Sequence, residues 1–335
     1  MSITYKKLDP QDFEDSFDET QAFALDVLVG LSETRKALPS KYLYDSPGSE
    51  LFTAITKSPD YYLTDCEREV LTTHVDNIAK QFEGVVFNLV ELGAGIGEKT
   101  KILLKRFTEL GLEFQYVPID ISEGAMKDLI ADLQETMPEV ETHGLVSDYF
   151  SGMKWLNNRY QRRNFVLFLG SSVGNFTHAG SRTFLRNVWN ALNHDDCLLS
   201  GFDLKKDIEA LLLAYNDRAG VTAKFNLNLL VRINRELGGE FDLSKFRHYG
   251  TYNVFNGAME SFLVSMHDQD VYIDTIGRSF SFREWEPIHT EYSYKYLESD
   301  IRTLAVETGF RAMEMLYDAR HFFVDSIWTV HKPGA

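Results

Sequence analysis

An open, doubly wound α/β sheet is the fold class this chain predicts, on three observations. Apolar strand candidates alternate with amphipathic helical stretches between residues 85 and 203. The first strand, Val85 to Leu92, runs directly into glycines at alternate positions, Gly93, Gly95 and Gly97. Each strand also ends in small or polar residues, the composition expected where the carboxyl ends of parallel strands face a ligand.

In order, the strands are 85–92, 114–121, 142–147, 164–170 and 197–203, with helices near 98–110, 123–136 and 180–193. Beyond Asp203 the alternation stops. Helical stretches from Ile208 to Ala219 and Phe225 to Leu237 are followed by short aromatic strands, Met259 to His267 and Val271 to Ile276. A helix near 294–308 and strands 310–317 and 322–330 then resume the pattern. An interruption of that length is too long for an ordinary loop and reads as a lid or substrate domain. The first 65 or so residues share its richness in Tyr and Phe. The expected organisation is therefore a discontinuous α+β substrate-binding domain, 1–65 plus 205–293, and a sheet domain, 66–204 plus 294–335.

The glycine loop carries the chemistry. Three glycines remove every Cβ from a strand-to-helix turn, so a ligand can lie against the backbone. The second strand delivers Asp120, 23 residues past Gly97, where an acid suits a ribose diol. The spacing is G-x-G-x-G rather than the dinucleotide G-x-G-x-x-G, and the acid Glu91 precedes it. A pyrophosphate wants unopposed N–H groups, whereas a sulfonium tolerates a carboxylate. The loop thus favours S-adenosylmethionine over NAD; the competing reading is a glycine-rich turn with a surface Asp. Seven strands of which the last two pair make the methyltransferase variety of the Rossmann-like sheet.

Composition narrows the class. A net charge of −16 with no basic face argues against nucleic acid. No apolar run approaches a membrane span, and the first residues carry no apolar signal core, so a cytoplasmic location is the expectation. Cys66 and Cys197 stand alone, and the nine His form no metal-binding pattern, so no metal is expected. A monomer is the default.

Several stretches resemble one family closely: Leu38-Pro-Ser-Lys-Tyr-Leu-Tyr44-Asp45, Gly48-Ser-Glu-Leu-Phe52, Tyr61-Tyr62-Leu-Thr64, Glu91-Leu-Gly93-Ala-Gly95 with Glu98-Lys99-Thr100, Gly170-Ser-Ser-Val-Gly174-Asn175, Ala214-Tyr215-Asn-Asp-Arg-Ala-Gly220-Val-Thr222 and Thr290-Glu291-Tyr-Ser293. The chain is similar to the histidine-specific N-alpha-methyltransferases of ergothioneine biosynthesis from about residue 38 onward. The resemblance implies three methyl transfers from S-adenosylmethionine to the α-amino nitrogen of histidine, giving hercynine. It places Gly93, Lys99, Asp120, Asp148 and Tyr149 at the cofactor. Tyr61, Gly170, Asn175 and Tyr215 fall at the amino acid's carboxylate and amine, with Asn175, Tyr215 and Tyr61 carrying the catalytic alignment. Tyr44, Glu291 and Ser293 fall at the imidazole.

That chemistry suits these residue types. Displacement at a sulfonium needs alignment and a neutral amine more than a strong base. Asn175 can bind carboxylate and amine together, since its amide both donates and accepts. Tyr61, Tyr62 and Phe52 could contact a methylated ammonium, or simply be core aromatics. Glu291 and Ser293 are two apart, so an extended segment points both to one face, where they could clamp an imidazole. Asp148 reads equally as a helix cap. Aligning Glu260-Ser261-Phe262-Leu263 puts Ser261 where a bulky apolar residue can line the pocket, which keeps a larger amino acid such as tryptophan open as the substrate. A non-catalytic relative that binds S-adenosylmethionine as a regulator is the third reading, and it would need a broken amino-acid site.

Overall fold

The structure is a computed structural model that describes residues 3–8, 19–159 and 162–332. It begins with β1 (Ile3–Lys7), α1 (Glu19–Ser32), α2 (Ser46–Thr56), α3 (Tyr62–Lys80), β2 (Phe87–Leu92), α4 (Thr100–Glu109) and β3 (Phe114–Asp120). There follow α5 (Glu123–Thr136), β4 (Thr142–Val146), α6 (Tyr149–Arg159), β5 (Arg163–Phe168), α7 (His178–Ala191), β6 (Cys197–Asp203), α8 (Ile208–Tyr215) and α9 (Val221–Leu237). The remainder is β7 (Phe246–Asn253), β8 (Ala258–Ser265), β9 (Gln269–Ile273), β10 (Arg278–Phe282), β11 (Pro287–Tyr294), α10 (Glu298–Thr308), β12 (Phe310–Tyr317) and β13 (Phe323–Val330). Two units emerge: Met1–Asp9 with Leu63–Lys205 and Lys295–Ala335, and Pro10–Tyr62 with Lys206–Tyr294.

The first unit is built on one sheet in the order β1-β4-β3-β2-β5-β6-β13-β12. Its first six strands are parallel, and β13 and β12 close it as an antiparallel pair. Strands covered on both faces read as mainly apolar runs, and every residue of β2 and β6 is buried. Successive side chains of β5 show the two layers. Phe165 and Leu167 join the core of Leu71 and Ile78 (α3) and Leu103 and Phe107 (α4). Phe168 points the other way, its ring 4.8 Å from that of Phe184 on α7.

The sheet has eight strands where the sequence predicts seven. The addition is β1, paired in register with β4 from Ile3↔Thr142 to Lys7↔Val146. Residues 3–7 thus join the sheet unit and not, as expected from 1–65, the insertion. Ile3 and Tyr5 pack on Met126, Ile130 and Val146. A five-residue edge strand with two inward residues carries too short a period to be distinguished from a loop. Helix α6, Tyr149–Arg159, is also unforeseen.

The second unit contains a three-stranded antiparallel sheet, β11-β8-β7, and the hairpin β10-β9. Its core gathers Phe23, Val27 and Leu31 (α1), Ile55 (α2) and Phe225, Leu229, Leu230, Ile233 and Leu237 (α9) over Phe246, Leu263, Val271, Phe280 and Ile288. Asp217 starts α9 by accepting the N–H groups of Val221 and Thr222, and Gly238 ends it at φ 64. Helices α8 and α9 follow the expected stretches, but of the strands only β8 and part of β9 match the sequence reading, since β7, β10 and β11 are half-exposed and mix polar with apolar residues.

Candidate active site

Within the first unit, the glycine loop lies where the strand order reverses between β2 and β5, the place at which open sheets bind ligands. Gly93 (φ 76) and Gly95 (φ 52) take a backbone conformation that side chains disfavour. A Cβ on Gly93 would sit 2.9 Å from the Tyr149 hydroxyl, so glycine makes room for that ring. A Cβ on Gly95 would meet nothing within 4 Å, which leaves that side of the loop open. Asp120 ends β3 with its carboxylate tied to the loop: Oδ2 accepts the Gly95 N–H at 2.9 Å and Oδ1 the Ser122 N–H at 2.8 Å. Burial raises its pKa against those bonds.

Asp148 begins α6, its Oδ1 accepting the Phe150 and Ser151 N–H groups at 3.0 and 3.1 Å. One of its oxygens is therefore committed to the cap. Tyr149 follows it and packs edge-on against Phe168 and Phe184. Glu91 does not face the loop's open side. It is buried, accepting from the Thr100 hydroxyl at 2.6 Å and from the Tyr116 hydroxyl, and so fastens α4 and β3 to β2.

Lys99, immediately before α4, pairs with the buried Glu67 of α3. Glu67 also accepts the Gly170 N–H at 2.7 and 3.0 Å, while a Cβ on Gly170 would be 3.5 Å from Lys99 Nζ. Lys99 and Gly170 are thereby neighbours. Beyond Gly170, Ser171 stands at φ 56, its hydroxyl accepting the Asp203 N–H at 2.9 Å. It leads a single tight turn, Ser172–Asn175, that ends at Asn175. A non-glycine residue held in that region stores strain, and such positions gather at working sites.

In the second unit, α8 ends at the buried Tyr215, whose hydroxyl lies 2.6 Å from Ser293 Oγ on β11. Tyr61 packs edge-on against Tyr215, and Phe52 bridges Tyr61 to Tyr44 and Phe225. A bulge between His289 and Glu291 turns β11. Because of it, Ile288, Glu291 and Ser293 stand opposite Leu263, Ser261 and Met259, all on the inner side of β8. Thr290, the extra residue, is held by donating to Asn226 Oδ1 at 2.7 Å and to the Ser261 carbonyl at 3.1 Å.

A family described as histidine-specific methyltransferase, SAM-dependent, matches residues 23–330. This chain belongs to that family. The histidine N-alpha-methyltransferase of Mycolicibacterium smegmatis is 35% identical over 291 residues, 87% of this chain and 89% of its own. The histidine N-alpha-methyltransferase of Mycobacterium tuberculosis is 36% identical over 275 residues, 82% of this chain and 84% of its own. Among solved structures, the glycopeptide N-methyltransferase MtfA complexed with S-adenosyl-L-homocysteine is similar at 13% identity and a TM-score of 0.42, covering 78% of this chain and 87% of that one.

This methyltransferase takes its methyl group from S-adenosylmethionine. The open glycine loop, the acid at the end of β3 and the cation before α4 are a donor set that fits an adenosyl amino acid. Among the described residues no group of three His, Cys, Asp or Glu could hold a metal ion, and no helix is long and apolar enough to cross a membrane. Sequence reasoning missed Glu67, which anchors both Lys99 and Gly170. The signal was present: Glu67 occupies the buried stripe of α3 with Leu63, Val70 and Leu71, where an acid needs a partner.

Proposed function

We propose that the chain methylates the α-amino nitrogen of L-histidine three times, giving hercynine. The observation that supports this most is the convergence on β11: Glu291 and Ser293 share the inner face, and Ser293 meets the Tyr215 hydroxyl. A carboxylate and a hydroxyl on one face supply an acceptor for one ring nitrogen of an imidazole and a donor or acceptor for the other. In this reading Tyr44 completes the imidazole site, while Asn175, Gly170, Tyr61 and Tyr215 hold the carboxylate and amine. Gly93, Lys99, Asp120, Asp148 and Tyr149 hold the cofactor.

When bound, S-adenosylmethionine supplies a methyl group on a sulfonium. The protein's own work is alignment: Asn175 orients the amine lone pair without changing its own protonation, so the same contact serves each round. Three transfers to one nitrogen need a site that tolerates growth of the ammonium, and the rings of Tyr61 and Phe52 offer an adaptable wall. The names of two relatives, both histidine N-alpha-methyltransferases, support histidine as the substrate.

One observation favours a second reading. Ser261, small and buried, lies directly opposite Glu291, where a bulkier side chain would narrow the imidazole site, and this supports a larger aromatic amino acid such as tryptophan as the alternative. Calorimetric titration of amino acids in the presence of S-adenosylhomocysteine separates the two, with histidine expected at least about tenfold tighter. Mass spectrometry of the product counts the methyl groups. Asn175→Ala is expected to abolish histidine binding with little change in affinity for S-adenosylhomocysteine. Undiminished turnover in that variant would remove Asn175 from the site.

A further inference from the structure

Asp325 of β13 is fully buried, and no donor reaches either of its oxygens. It pairs across the sheet with Gly201 of β6. Glycine there is what admits Glu67: a Cβ on Gly201 would collide with Glu67 Oε1. The Glu67 carboxyl consequently lies over Gly201, beside the position of Asp325 on the neighbouring strand. Two buried carboxyls therefore meet one ammonium, that of Lys99, and one backbone amide, that of Gly170.

Two adjacent carboxylates in such a place repel one another, and each costs a good deal to strip of water. Glu67 is satisfied as an anion by Lys99 and Gly170. Asp325 is satisfied only as an acid that donates to Glu67, and burial next to that anion pushes its pKa well up. We propose that Glu67 and Asp325 share one proton, and that this pair positions Lys99 for binding of the cofactor's α-carboxylate.

With the proton in place, Lys99, Glu67 and Asp325 sum to zero charge, and the ammonium keeps donors to spare for a ligand. Without it the cluster is net negative and repels an incoming carboxylate. Asp325 also fixes the Glu67 rotamer by donating to it. The role rests on the reading that Lys99 holds the cofactor.

Two measurements on the full chain separate these claims. At neutral pH the infrared spectrum should contain the C=O band of a protonated carboxyl that Asp325→Asn removes. Titration with S-adenosylhomocysteine should show Asp325→Asn within about threefold of the parent, because its amide still donates to Glu67, and Asp325→Leu weakened at least about tenfold. Thermal midpoints identify a folding failure in the Leu variant. Should it fail, Glu67→Gln, which keeps the shape and loses the ion pair, is expected to weaken the same ligand about tenfold and to abolish the band. Absence of the band, or equal binding by folded Asn and Leu variants, overturns the proposal. Lys99→Met with undiminished binding would instead overturn the placement of Lys99 at the cofactor, while the band still decides whether the proton is shared.

Discussion

Glu91 occupies the position that most directly invites a functional role, next to the glycine loop, yet it is committed inward. Burial lifts its carboxyl from 4.5 to about 7, with the bonds from Thr100 and Tyr116 pulling the other way. Between those two values the folded chain keeps a proton that the unfolded chain has released. Its contribution to stability is therefore greatest below pH 4.5 and falls as pH rises towards 7. Glu91→Gln carries no such dependence. From pH 5 to pH 8 the variant should gain stability relative to the parent, by up to about 3 kcal/mol. Urea unfolding at the two pH values measures this, and a difference that stays constant would mean that Glu91 is ionised throughout. The same residue shows why side-chain roles resist sequence reasoning. Its neighbour in sequence is the glycine loop, but its partners, Thr100 and Tyr116, come from other elements.

At the scale of elements, β11 earns its place through one extra residue. A regular strand would put Ile288 and Glu291, three apart, on opposite faces. The bulge at Thr290 brings both inward. Its hold is the hydrogen bond to Asn226 of α9, so Thr290→Val leaves a buried amide oxygen without that donor and should cost about 1–3 kcal/mol of stability. Histidine affinity should fall with it, because Glu291 loses its aim, while affinity for S-adenosylhomocysteine stays as it was. Equal loss of both affinities in titrations of the variant would place the effect in general stability. The pairing of Glu291 with Ser293 was legible, since it follows from strand period alone. The bulge was not, because it depends on a contact between residues 226 and 290. The central strands were the easiest to read: a sheet covered on both sides makes apolar runs such as Phe87–Leu92, whereas the antiparallel strands of the second unit are polar on one side and blend with loops.

Across the whole molecule, the sheet unit is interrupted between Lys205 and Lys295. The two points of interruption lie side by side: the Lys205 N–H donates to the Tyr296 carbonyl and the Tyr296 N–H to the Asp203 carbonyl, both at 2.9 Å. Beneath them Lys295 and Asp203 form a fully buried ion pair at 2.8 Å. Removing one partner of such a pair leaves a buried charge without its counter-ion, so Lys295→Met should cost about 3–5 kcal/mol, and the joint change Asp203→Leu with Lys295→Met should recover most of that. Denaturant midpoints for the single and double variants test it; an unrecovered double variant would show that the charges do more than neutralise each other. The interruption itself was visible as a break in periodicity, but the acid and base that secure it are 92 positions apart in the chain.

The anchoring of Lys205 beside Tyr296 has a consequence for what can be exchanged. Joining two ends that are already held together demands little further loss of freedom, whatever the length of chain spliced in between. To the sheet unit, the stretch from Lys206 to Tyr294 is an insertion whose two ends are already tied together. Its length and sequence can change while the ends that the sheet presents to it stay where they are.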